Sequence, residues 1–69
     1  MNKMLLENMT VYEKEVMPFV LNGCNNKVIA RKLNISPDTV KARLTGLYKK
    51  FEVKNRIQLI TLFISNNLI

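Results

Sequence analysis

Apolar residues recur at helical spacing in four segments of the chain, and each segment opens on a residue suited to cap a helix. In the first, Thr10-Val11-Tyr12-Glu13 forms a capping box. The threonine hydroxyl accepts from the Glu13 amide, and the Glu13 carboxylate reaches back to the cap amide. Val16, Met17, Val20 and Leu21 follow on one side, and Gly23 supplies a natural stop. Pro18 interrupts this helix 1 and leaves the Lys14 carbonyl without its usual donor, at roughly 3 kcal/mol in a regular interior. It lies off the Val16–Val20 stripe, so a kink with a hydrated carbonyl is expected, and no break.

Asn25 caps helix 2, which runs from Asn26 to about Leu33 with Ile29, Ala30 and Leu33 inward. Ala30 is small enough to let the next helix cross closely. Asn34 tolerates a left-handed backbone, and Ile35 plugs the angle between the two helices. Helix 3 has the clearest start. Ser36 caps, Pro37 takes the first helical position, Asp38 faces the positive helix end, and Thr39 follows. Val40, Leu44, Leu47, Tyr48 and Phe51 then form one apolar stripe. Opposite it lie Asp38, Ala42, Thr45 and Lys49. Lys41 falls on one flank, and Arg43, Gly46 and Lys50 fall on the other.

Asn55 caps helix 4, about Arg56 to Asn66, whose apolar residues cover two sides. Ile57, Ile60, Ile64 and Leu68 make one; Leu59, Leu62 and Phe63 make the other. One side closes the core. The second reads as a subunit interface, unless a layer this small needs both sides for itself. Residues 1–8 form a short unpatterned leader, in which Met4, Leu5 and Leu6 pack on the domain or start a helical turn. No internal repeat, linker or low-complexity tract appears. The fold class is all-α, one domain over residues 9–69.

Composition sharpens this picture. Sixty-nine residues with 48% hydrophobic content make one small, marginal domain that gains from idealised helix packing or a partner subunit. The net charge is +6, and nine of the eleven basic residues lie between Lys27 and Arg56. Up to Asn26, two lysines stand against three glutamates; beyond Arg56 no side chain is charged. That distribution points to a polyanionic partner for the middle of the chain. There is no His, and Cys24 is alone, so imidazole chemistry, a disulfide within the chain and a cysteine metal site are excluded. No Gly-rich phosphate loop or carboxylate pair is present, so an enzyme has almost no support and no cofactor is expected. One free Cys without a signal sequence fits the cytoplasm, and the apolar runs are far too short to span a membrane.

Helix 3, with small or polar residues at its crest and cations on both shoulders, suits the major groove of duplex DNA. Its crest meets base edges and its shoulders meet phosphates. Ala42 and Thr45 offer methyl groups more than hydrogen-bond forks, so thymine-methyl contacts and modest specificity are expected. Lys54 and Arg56 flank the helix 4 cap, where cations oppose the helix dipole; either a nearby phosphate or simple solubility explains them. Gly46 either permits a close approach or is merely tolerated. Tyr48 reads as core and Cys24 as a small loop residue.

The motifs together resemble the LuxR/GerE-type helix-turn-helix domain, also found at the C-terminus of NarL-like response regulators. The matching stretches are Met9 to Met17, Gly23, Asn26 to Ala30, Leu33 to Ser36, Thr39 to Lys41, Val53 to Gln58, and Leu68-Ile69. The resemblance implies a four-helix domain that binds double-stranded DNA as a homodimer, with helix 3 as the recognition helix and helix 4 pairing the subunits. It places Lys41, Ala42 and Thr45 against bases. Lys27, Thr39, Arg43 and Lys49 or Lys50 would meet the DNA backbone, and Leu59, Leu62, Phe63 and Asn66 the partner subunit. The chain departs from the family at Pro18, at Val28 for a usual Glu, Arg43 for His, Glu52 for Gly, and Leu59 and Phe63 for small residues. A rival reading keeps the fold but has it bind RNA polymerase or another regulator. Met1 and the unpatterned leader favour a complete small regulator over the end of a longer one.

Overall fold

The structure, a computed structural model, describes residues 7–66. Among the described residues four helices follow one another: α1 Val11–Leu21, α2 Asn26–Leu33, α3 Pro37–Lys50 and α4 Arg56–Ser65. No strand occurs among the described residues, so the chain is all-α as expected. The expectations for Met4, Leu5, Leu6, Leu68 and Ile69 fall outside the described residues.

Each helix begins at its predicted cap. Thr10 Oγ1 accepts from the Glu13 amide at 3.1 Å, and Glu13 Oε1 accepts from the Thr10 amide at 2.9 Å, which closes the capping box. Asn25 Oδ1 takes the Val28 amide, Ser36 Oγ the Thr39 amide, and Asn55 Oδ1 the Gln58 amide, at 2.9, 3.1 and 2.9 Å. A cap of this kind is worth about 1 kcal/mol. Helix α1 runs on through Pro18, which is exposed.

The three connections share one way of stopping a helix. Gly23, Asn34 and Glu52 adopt left-handed backbone, with φ of 82°, 57° and 56°. After each, the next amide reaches back to a carbonyl five residues earlier: Cys24 to Phe19, Ile35 to Ala30 and Val53 to Tyr48. A second bond spans three residues, from Gly23 to Val20, Asn34 to Arg31 and Glu52 to Lys49. This Schellman arrangement satisfies carbonyls that the helix leaves bare. Glycine adopts the conformation freely and asparagine at small cost, while glutamate carries the clash of its Cβ.

The apolar stripes converge on one core. Val16, Met17 and Val20 of α1 meet Ile29 and Ala30 of α2, Val40, Leu44 and Leu47 of α3, and Leu59 and Phe63 of α4, with Met9 beneath them. Ile35 is half-buried at the α2–α3 angle. Phe51, just past α3, meets Phe63 edge-on, with ring centroids 6.0 Å apart.

One expectation is corrected here. Leu59 is fully buried and Phe63 only 2% exposed, whereas Ile57 is 75% and Ile64 58% exposed. Leu59 and Phe63 therefore close the protomer's own core and do not face a partner; Leu62 and Asn66 are half-buried at its margin. Both sides of α4 are apolar, so periodicity left the choice open. Arg56 decides it. Its guanidinium turns inward, donating to the Cys24 carbonyl and to Asn26 Oδ1. Leu59 and Phe63, three and seven residues on, share that side of the helix.

The left-handed exits predict opposite responses to substitution. Glu52→Gly should raise the unfolding free energy by about 0.5–1 kcal/mol, because relief of the backbone exceeds the added entropy of the unfolded chain. Gly23→Ala should lower it by about 1 kcal/mol through the backbone alone, since a Cβ there meets nothing within 4 Å. Urea denaturation of both variants reads the two signs.

Candidate nucleic-acid interface

Because α3 buries Val40, Leu44 and Leu47, its opposite side must face solvent. Lys41, Ala42, Thr45 and Lys49 are all exposed there, as is Asp38 near the start. The Thr45 hydroxyl donates to the Lys41 carbonyl at 2.9 Å, one turn back. Its proton is thus used within the helix, and what Thr45 presents outward is chiefly its methyl. Ala42 beside it presents another. Thr39 is half-buried, and its hydroxyl lies 2.9 Å from Ser36 Oγ, so it belongs to the cap as much as to the surface. Lys27 is exposed in the first turn of α2, where the Asn26 and Lys27 amides have no acceptor inside the helix.

The flank of α3 that carries Arg43, Gly46 and Lys50 lies against α1. Lys50 Nζ is 2.6 Å from Glu13 Oε1 and also donates to the Asn8 carbonyl. Lys50, expected among the phosphate contacts, thus already has a carboxylate partner within the fold. Glu13, only 8% exposed, is the buried polar residue that the sequence pattern did not reveal. The available signal was the pairing of a capping-box glutamate with a facing lysine beside a small residue. Gly46 faces the same carboxylate, yet a Cβ there would sit 3.7 Å from Glu13 Oε2, an ordinary contact. The glycine is tolerated, not required. Arg43 is half-buried and lays its guanidinium over the Tyr12 ring, 4.7 Å from the centroid.

The opposite flank opens into a groove of about 520 Å³ between Asn25 and Asn26 of α2, Lys41, Thr45 and Tyr48 of α3, and Arg56 of α4. Tyr48 is half-buried on its wall. Arg56 is neither a free surface cation nor a solubility residue. It ties the start of α4 to the start of α2 through Cys24 and Asn26. Lys54 is exposed. Cations on and beside the crest are thus of two kinds. Lys27, Lys41 and Lys49 are open to solvent, while Lys50 and Arg56 hold the fold.

Two helices joined by a tight left-handed turn, the second presenting an exposed polar face, define a helix-turn-helix domain. The chain belongs to the bacterial regulatory proteins of the luxR family, whose pattern matches residues 7–63. It is 45% identical over 53 residues to the putative HTH-type transcriptional regulator YhjB of Escherichia coli, covering 77% of this chain and 26% of that protein. It is 45% identical over 53 residues to the transcriptional regulatory protein DesR of Bacillus subtilis, covering 77% and 27%. The monoamine regulon transcriptional regulator of Klebsiella aerogenes is 43% identical over 53 residues, covering 77% and 23%. The chain thus spans about a quarter of the length of these relatives. No solved structure gives a significant match. The family is one of transcriptional regulators, not enzymes. No helix among the described residues is long and apolar enough to cross a membrane.

The Glu13–Lys50 pair sets a pH dependence. Burial by itself pushes the Glu13 carboxyl up; the Lys50 ammonium and the Thr10 amide and hydroxyl outweigh it and hold it below its ordinary 4.5. A lowered carboxyl in the folded state stabilises fully above its unfolded value and is lost as pH falls through the folded one. Wild type should therefore exceed Glu13→Gln by about 1–2 kcal/mol at neutral pH. That margin should shrink as pH falls below the ordinary glutamate range, which denaturation titrations across acid pH would follow.

Proposed function

We propose that this chain binds double-stranded DNA sequence-specifically as part of a transcriptional regulator in the cytoplasm, with α3 in the major groove and two copies acting as a homodimer. The domain runs over residues 9–69, behind a leader of residues 1–8. The observation that carries the reading is the solvent-facing side of α3. Ala42 and the Thr45 methyl form a small crest that fits against base edges, and Lys41 and Lys49 stand free beside it. Lys41 contributes a base or phosphate contact at the edge of the crest. Lys27, Thr39, Arg43 and Lys49 supply the backbone contacts.

The exposed side of α4, with Ile57 and Ile64, supports pairing of two subunits through that helix, and Leu62 and Asn66 border it. A dimer sets two copies of α3 on one face of the duplex, so its operator is an approximate palindrome with half-sites about one helical turn apart. The same Ile57–Ile64 side fits RNA polymerase or another regulator if the chain stays monomeric. Sedimentation separates the two: a stable homodimer supports pairing, and a monomer supports the foreign partner.

Lys49→Ala should weaken binding to all duplexes alike and flatten the salt dependence by about 1 in the log–log slope. Lys41→Ala should do the same and also alter the sequences recovered from a random duplex pool. Lys50→Ala should lower stability, since it leaves Glu13 buried without its cation, and leave the slope as it is. Duplex affinity unchanged in both Lys41→Ala and Lys49→Ala at low salt would remove α3 from the interface.

A further inference from the structure

Helix α1 opens on an aromatic side chain that the core does not use. Tyr12 is 60% exposed, and Arg43 crosses from α3 to lay its guanidinium on the ring. Arg43 forms no hydrogen bond or ion pair with any described residue, and none of its nitrogens is sealed from solvent without a partner. The other cation on that flank, Lys50, is held by Glu13 and the Asn8 carbonyl. Among the described residues, that flank of α3 therefore offers one open cation, an arginine pressed face-on against a ring.

That geometry suits one kind of ligand. A guanidinium stacks through its face and donates through its edge, so the Tyr12 stack leaves the in-plane N–H groups free. A phosphodiester accepts two such donors side by side. An unpinned arginine loses rotamer freedom when it binds; one already stacked has less to lose. We propose that Tyr12 is a positioning residue in DNA recognition, holding Arg43 so that its N–H edge meets one backbone phosphate on the α1 side of α3. This rests on the reading of α3 as the DNA-facing helix, and it extends the interface to α1. The ring does the holding and the phenol hydroxyl takes no part.

Anisotropy titrations of the whole chain, with a duplex from operator selection and over a range of salt, test this. Tyr12→Phe should bind like wild type. Tyr12→Ala and Tyr12→Leu should each bind about two- to fivefold more weakly with an unchanged salt slope, because the cation remains. Arg43→Ala should bind more weakly and flatten the slope by about 1. In the Arg43→Ala background, Tyr12→Ala should add no further loss. The proposal is overturned if Tyr12→Leu binds as tightly as wild type, or if the cost of Tyr12→Ala persists without Arg43. With Lys41→Ala and Lys49→Ala weakened in the same titrations, either result removes Tyr12 and leaves the α3 reading standing. Wild-type affinity in those two lysine variants would remove both.

Discussion

One carboxylate, Glu13, holds together the parts of this molecule that must keep their places. It closes the first turn of α1 through Thr10 and takes the ammonium at the last turn of α3. Through that same lysine it fixes the chain at Asn8, just ahead of the first helix. Burying a carboxylate is unfavourable, and here three donors more than offset it. The orientation of α3 against α1, and with it the direction in which the exposed side of α3 points, follows from this contact and from the Val16, Val20 and Leu47 packing behind it.

The same contact changes what the formal charge means. Nine cations between Lys27 and Arg56 look like one continuous basic surface. In the folded chain Lys50 is committed to α1 and Arg56 to the α1–α2 connection, while Arg43 rests on Tyr12. In the proposed reading, Arg43 keeps its N–H edge for a polyanion, alongside the exposed Lys27, Lys41 and Lys49. Lys50 and Arg56 thus help to position the helices, and among the described residues Lys27, Lys41 and Lys49 stand exposed with no side-chain hydrogen bond or ion pair.

Much of the fold was legible because its determinants are local. A cap and its amide lie three residues apart, so Thr10, Asn25, Ser36 and Asn55 could be read directly. The Val40–Leu44–Leu47 stripe was legible for the same reason. The exposed crest followed from the stripe by elimination. What stayed hidden depends on residues far apart along the chain. Lys50 meets Glu13 from 37 positions away, and Arg56 meets Asn26 from 30. Nothing in the periodicity of either helix marks those cations as different from Lys49 or Lys54. Helix α4 was the hardest case, since with Ile57 and Ile64 on one side and Leu59 and Phe63 on the other, only the inward turn of Arg56 decided which was core.

That division of α4 has a further consequence. The side chains that hold the helix in the domain and those it shows to its surroundings are separate sets, with half-buried Ile60 and Leu62 between them. Ile57 and Ile64 can be exchanged over evolutionary time for other residues without opening a cavity or losing a core contact. The surface that α4 shows is therefore free to drift, while the architecture that carries α3 stays constant.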